Sequence, residues 1–170
     1  GSLPPGVGGG FYREVVRMMH ARGTRLIVDT KPALLRETLG EGVFLIKPNM
    51  RELSELTGKE LGQEQQQEHA ARDLVSQGAC EVVVVSLGAA GVLLVSRDTN
   101  ERIRAPSVPV RSKVGAGDST VGGLVAALAR GLPIGTAVRY GVAAGTAAVM
   151  TSGTQLCRRQ DVEGLFQTLQ

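Results

Sequence analysis

Short apolar runs rich in β-branched residues alternate with segments of helical spacing up to Val85 of this 170-residue chain, and that alternation narrows the fold more than any other feature. Leu26-Ile27-Val28, Val43 to Ile46 and Val82 to Val85 are continuous apolar runs, so each reads as a strand buried on both faces. Tyr12 to Ala21 sets Val15, Val16, Met18 and Met19 among Arg13, Glu14 and Arg17, with Gly23 as a helix stop. Pro32 to Leu39 reads as a short helix, the stretch after Asn49 as a helix through about Leu56, and Gln63 to Gln77 as a longer helix ended by Gly78. Such strands alternating with helices indicate an α/β fold with a parallel sheet covered on both faces. Gly88 and Gly91 break the pattern, after which Val92 to Val95 and Ile103 to Val110 read as antiparallel additions at a sheet edge. Ala116 to Ala129 and Ile134 to Met150 read as apolar helices, and Gln160 to Leu169 as a terminal amphipathic one.

This length, with 42% hydrophobic residues, suits one domain or one large piece of a domain. With 23 glycines and no tryptophan, small side chains must supply the close packing. Nineteen basic against sixteen acidic residues leave a charge of +3 without any basic run, which argues against nucleic acid as a partner and points weakly to an anionic ligand. The apolar runs at Val82 to Val85 and Val92 to Val95 are too short to span a bilayer, so no membrane role is expected. Cys80 and Cys157 lack the spacing of a zinc site or redox pair and read as small packing residues in a cytoplasmic protein. The chain opens on Gly1 and its first methionine is Met18, so it reads as a processed, excised or truncated product.

The sharpest local feature is Val114-Gly115-Ala116-Gly117-Asp118-Ser119, a glycine-rich loop entering a long apolar helix. Glycines allow close backbone approach, and the free N–H groups of a helix start attract an anion, phosphate above all. A carboxylate at Asp118 opposes simple phosphate capture but suits a base that deprotonates an attacking hydroxyl, and the combination points to phosphoryl transfer. The structural alternative is a tight turn with an acidic residue favouring the helix N-terminus. Lys47-Pro48-Asn49-Met50-Arg51-Glu52 lies where a buried strand ends, the place where doubly wound sheets collect ligands. Lys47 there suits nucleotide phosphates, and Asn49 and Glu52 suit the water shell of magnesium; equally, Asn49 and Glu52 have the spacing of a capping box. Ser86-Leu87-Gly88-Ala89-Ala90-Gly91 follows another buried strand and is open to two readings, a flat-ligand loop or a plain hairpin turn. Gly8-Gly9-Gly10 has the wrong spacing and no preceding strand for a dinucleotide fingerprint. His20 and His69 sit in polar helical surroundings and read as solvated.

In their order and spacing, Lys47-Pro48-Asn49-x-x-Glu52, Ser86-Leu87-Gly88-x-x-Gly91 and Gly115-Ala116-Gly117-Asp118 resemble the C-terminal half of the ribokinase-like (PfkB) carbohydrate kinases. Gly1-Ser2-Leu3-Pro4-Pro5-Gly6 and the segment from Gly141-Val142-Ala143-Ala144-Gly145 through Gly153-Thr154 narrow the resemblance to the hexose-phosphate branch, and within it to the minor 6-phosphofructokinases. It runs across essentially the whole chain, which favours Gly1-Ser2 as native sequence rather than a cloning scar. The resemblance implies a three-layer αβα sandwich with a mostly parallel sheet, residues 1–170 being the C-terminal nucleotide-binding portion, with the N-terminal part and the β-sheet lid absent. It implies transfer of the γ-phosphate of ATP to a hexose phosphate, fructose 6-phosphate first and tagatose 6-phosphate or fructose 1-phosphate as alternatives, with the isolated fragment inactive. A rival from another class is a truncated, non-catalytic nucleotide-binding module.

Carried over residue by residue, the resemblance makes Asp118 the base and the Gly115, Ala116, Gly117 and Asp118 backbone the anion hole. Lys47 and Asn49 would contact nucleotide phosphates, and Asn49 and Glu52 would organise hydrated magnesium. Ser86, Leu87, Gly88, Ala89, Ala90, Gly91, Val110, Val114, Val142 and Thr146 would surround the adenosine, and Ser2 would touch the sugar phosphate. Ser112, Val114, Ala148, Thr151, Gly153 and Gln155 match positions that hold a monovalent cation, potassium, in related kinases. Lys113 departs from the small residue usual there, which puts the cation site in question more than the base. The resemblance also implies a homodimer for the full-length kinase, formed through the absent lid.

Overall fold

The computed structural model describes residues 1, 3–8 and 10–170. It separates into two compact units, Gly1–Leu87 with Leu93–Glu101, and Gly88–Val92 with Arg102–Gln170. The first carries α1 (Phe11–Ala21), β1 (Ile27–Val28), α2 (Pro32–Arg36), β2 (Leu45–Ile46), α3 (Met50–Thr57), α4 (Glu64–Ser76) and β3 (Val82–Ser86). β4 (Val92–Ser96) and β5 (Asn100–Ile103) continue its sheet in the order β1-β2-β3-β4-β5. The second unit holds α5 (Ala116–Ala129), α6 (Ile134–Val149) and α7 (Arg159–Gln167).

β1, β2 and β3 pair in parallel, with Val28 opposite Ile46 and Ile46 opposite Val83. The expected continuous burial is present: Val82, Val83, Val84 and Val85 are all buried, Val83 and Val85 packing in one core with Val16, Val28, Leu35, Ile46 and Leu53. Only five residues join β3 to β4 and three join β4 to β5, too few for parallel crossovers, so these additions are antiparallel and the sheet is mixed. The last strand differs from the expectation of Ile103 to Val110. It is Asn100–Ile103, and residues 104–110 leave the sheet because Pro106 and Pro109 have no N–H to give to a ladder. Cys80 belongs to the first core, where burial pushes its thiol up to about 12, so it stays protonated and inert.

In the second unit α5 and α6 approach closely enough for backbone to touch backbone. A Cβ at Gly141 would lie 2.7 Å from the Thr120 carbonyl oxygen, and one at Gly123 would lie 2.7 Å from the Ala144 Cβ and 3.1 Å from the Tyr140 carbonyl oxygen. At Gly145 a Cβ would meet the Ala116 carbonyl oxygen at 3.0 Å. Glycine is needed at these positions for proximity, not for an unusual φ. The contact lets α6 bury every residue from Tyr140 through Ala148, and α7 closes the same unit with Val162 in a core beside Ala143, Ala144 and Ala147.

Gly122 and Gly141 should therefore respond to the same substitution with opposite signs. Gly141→Ala pushes on the α5 backbone and is expected to lower stability by about 1–3 kcal/mol. Gly122→Ala meets nothing within 4 Å among the described residues and should raise stability by roughly 0.5–1 kcal/mol through helix propensity. Urea unfolding of the two variants beside the parent measures both. In the native protein iodoacetamide should leave Cys80 unlabelled at pH 8, as peptide mass mapping would show.

Candidate functional site

In the first unit the parallel register brings the carboxyl ends of three strands to one edge: Asp29 after β1, Lys47-Pro48-Asn49 after β2, and Ser86 at the end of β3. The Ser86 N–H donates to the Pro48 carbonyl at 2.9 Å, and Asn49 and Ser86 form a further parallel bridge. Lys47 is only 7% exposed, and its Nζ lies 3.2 Å from Asp29 Oδ2. The sequence reading assigned no role to Asp29. The signal that would have found it is positional, since Asp29 follows Val28 as Lys47 follows Ile46.

Asn49 and Glu52 form the capping box in full. Asn49 Oδ1 accepts from the Glu52 N–H at 2.9 Å, and Glu52 Oε2 accepts from the Asn49 N–H at 2.8 Å. The structural reading of this pair is therefore realised, yet the Asn49 amide N–H groups and Glu52 Oε1 are not consumed by it. No cluster of three His, Cys, Asp or Glu side chains suited to direct metal ligation occurs among the described residues. The chemistry present fits magnesium, which keeps most of its waters and takes one or two carboxylates beside substrate phosphates. His20 and His69 are exposed, as expected.

In the second unit Gly115 is the N-cap of α5 in the left-handed conformation, φ 78°, and its carbonyl accepts the first helical bond from Ser119 at 2.8 Å. The N–H groups of Gly117 and Asp118 meet no acceptor among the described residues, as a helix start dictates. Asp118 stands exposed in the first turn, and no side chain among the described residues caps the helix. Its carboxylate makes no hydrogen bond or ion pair among the described residues, so helix capping does not occupy it. Asp118 and Gly115 border a groove of about 690 Å³ along α5 that continues past Gly122 to Arg130.

Of the residues expected around adenosine in this unit, Gly88–Ala90 form an exposed 3-10 turn, and the Gly91 N–H donates to the Gly88 carbonyl at 3.1 Å. Gly91 has a structural reason of its own: φ is +96°, and a Cβ there would lie 2.0 Å from the Ile103 carbonyl oxygen. Val110 and Val114 are each 59% exposed, whereas Val142 and Thr146 are buried in α6. Ser86 and Leu87, in the first unit, are half-buried. Ser2 lies outside the described residues.

The residues matched to a cation site fall into two local groupings. Thr151 Oγ1 lies 2.8 Å from the Ala148 carbonyl oxygen and 2.7 Å from that of Gln155, and Gly153, φ +60°, turns the chain between them. The Arg111 and Ser112 N–H groups both reach the Val149 carbonyl, at 2.8 and 3.3 Å, and the Val114 N–H donates to Ser112 Oγ at 3.2 Å. Lys113 is exposed and pairs with no carboxylate among the described residues.

The chain has a ribokinase-like α/β fold, with lysine and amide chemistry at the strand ends of its first unit and a glycine-led helix start in its second. The chain belongs to the pfkB family of carbohydrate kinases, whose model matches residues 1–161. It is 43% identical over 98% of its length to the ATP-dependent 6-phosphofructokinase isozyme 2 of Mycobacterium tuberculosis, and 39% identical over 99% to that of Escherichia coli. It is 33% identical over 99% of its length to a 1-phosphofructokinase of Rhodobacter capsulatus. The chain spans about half the length of these relatives, 49%, 55% and 53% respectively. Among solved structures, Escherichia coli phosphofructokinase-2 in complex with substrates and products superposes with a TM-score of 0.93 at 38% identity, covering 98% of this chain and 54% of that one. Arabidopsis thaliana ribokinase complexed with ribose and ATP shares the fold, with a TM-score of 0.78 at 23% identity over 91% of this chain and 51% of that one.

Because the Asn49 capping box is complete, Asn49→Ala is expected to lower stability by about 0.5–2 kcal/mol, while Asn49→Ser, which also caps, should restore most of it. Thermal melting of both variants checks this.

Proposed function

We propose that these residues are the C-terminal, nucleotide-binding portion of an ATP-dependent sugar-phosphate kinase, which transfers phosphate to the 1-hydroxyl of fructose 6-phosphate. The observation that carries the reading is Asp118, a carboxylate free of capping duty beside open N–H donors at a helix start. Asp118 takes the proton of the attacking hydroxyl, and the Gly115 to Asp118 backbone donates to the transferred group as charge gathers on its oxygens. Lys47 and Asn49 bind nucleotide phosphates. The Asn49 amide and Glu52 Oε1 hold the water shell of magnesium, which when bound neutralises charge on the phosphates. The Ser86 to Gly91 loop, Val110, Val114, Val142 and Thr146 are assigned to adenosine, and Ser2 to the sugar phosphate.

The Ala148 and Gln155 carbonyls near Thr151, with Ser112, Val114 and Gly153, are assigned to a monovalent cation. The solved complex of Escherichia coli phosphofructokinase-2 with potassium supports that assignment, and exposed Lys113 leaves it room. The tetrameric inhibited form solved for the same enzyme supports self-association of the full-length kinase, which we take as a cytoplasmic homodimer. The 1-phosphofructokinases among the relatives favour fructose 1-phosphate as the second substrate reading, ahead of tagatose 6-phosphate.

Calorimetry of the 170-residue protein with Mg-ATP is expected to show weak binding without turnover, and Lys47→Ala should weaken it about 10- to 100-fold through loss of charge-assisted hydrogen bonds. Absence of binding by the folded protein would remove the nucleotide assignment. In the full-length kinase, kcat/KM across a panel of hexose phosphates should be highest for fructose 6-phosphate; a higher value for another sugar phosphate would replace that substrate. No phosphoryl transfer to any sugar phosphate would leave a binding module.

A further inference from the structure

We propose that Asp29 is a positioning residue for Lys47, holding its buried ammonium at the carboxyl edge of the sheet where nucleotide phosphate is met; the inference rests on the kinase reading above. The pair follows from the register. Val28 lies opposite Ile46 on parallel strands, so Asp29 and Lys47 are the next step of the same ladder, and laterally paired side chains leave a parallel sheet on one face. The Lys47 N–H reaches the Val28 carbonyl at 3.4 Å, which continues the ladder to that step. The Lys47 side chain is 8% exposed and that of Asp29 31%, with 3.2 Å between Nζ and Oδ2.

A buried ammonium without a countercharge is strongly unfavourable, and a four-carbon stem without an anchor has many rotamers. Asp29 answers both requirements. Among the described residues it is the ammonium's only charge partner, so N–H donors remain for phosphate oxygens. The carboxylate itself repels phosphate. On charge alone its removal would tighten anion binding, whereas loss of a positioning contact would weaken it, and the two roles differ in sign.

The test is titration of the 170-residue protein with ATP, once in EDTA and once with magnesium. The forms compared are the parent, Asp29→Asn, Asp29→Glu, Lys47→Met and the double variant Asp29→Asn/Lys47→Met. Metal-free ATP is expected to bind Asp29→Asn about tenfold more weakly than the parent, Asp29→Glu should recover most of that loss, and the double variant should bind no more weakly than Lys47→Met alone. Unchanged or tighter metal-free binding by Asp29→Asn overturns the positioning role, as does a loss confined to the magnesium titrations, which would place Asp29 on the metal. If circular dichroism shows Asp29→Asn unfolded, Lys47→Met and the double variant decide, because neither buries an unpaired ammonium. A further loss on removing Asp29 from the Lys47→Met background overturns the proposal. Parental binding by Lys47→Met overturns the phosphate assignment of Lys47 together with the inference, whereas a Lys47→Met loss without an Asp29→Asn loss overturns the inference alone.

Discussion

Backbone contact between α5 and α6 is the constraint on which the second unit depends. α5 is apolar along nearly its whole length and its one charged residue is Asp118, so salt bridges cannot fix its position. Its placement comes from Gly123 against Tyr140 and Ala144, and from Gly141 and Gly145 against Thr120 and Ala116. Ala116 opens the helix and Thr120 lies one turn on, so the contact locks the turn that presents the Gly117 and Asp118 N–H groups. Sites held on rigid elements keep donor geometry through the chemical step, and a glycine-to-backbone contact is less compliant than one between long side chains.

The first unit meets the same demand through strand register. β1 and β2 are two residues long, yet their pairing decides which side chains share the sheet edge. It sets Asp29 beside Lys47, while the Asn49 to Ser86 bridge sets the capping box against the end of β3. Two kinds of positive potential thus arise separately, an ammonium at a strand end and a helix start with open N–H groups. Carboxylates lie close to the anion donors of both units, Asp29 on Lys47 and Glu52 on Asn49 in the first and Asp118 in the second. Asp29 is paired and Asp118, among the described residues, is not, which is the physical reason to give them different roles.

Much of this was legible in the sequence, and what was not has identifiable causes. α5 is bounded where its glycine loop and Gly131 put it, and α6 ends one residue short of the expected Met150. β5 was misplaced because Ile103 to Val110 looks apolar enough for a strand, whereas Pro106 and Pro109 remove the donors that a strand needs. Asn49 and Glu52 fit the local and the functional reading at once, because the capping box uses the Asn49 backbone N–H, Asn49 Oδ1 and one oxygen of Glu52, and leaves the Asn49 side-chain N–H groups and Glu52 Oε1 over. Asp29 was missed because its partner is 18 positions away in sequence and is defined only by register. The family motifs marked Lys47, but its near-complete burial is a tertiary property that no local pattern encodes.

The most direct test of the central claim is turnover of the full-length kinase carrying Asp118→Asn, with melting measured on the same variant. Asn preserves the shape of the side chain and suits a helix start, but it cannot accept the proton. With Asp118 as general base, kcat should fall by about 10²–10⁴-fold while ATP affinity and melting stay near parental. Near-parental turnover in Asp118→Asn would contradict the account and leave Asp118 as a structural residue.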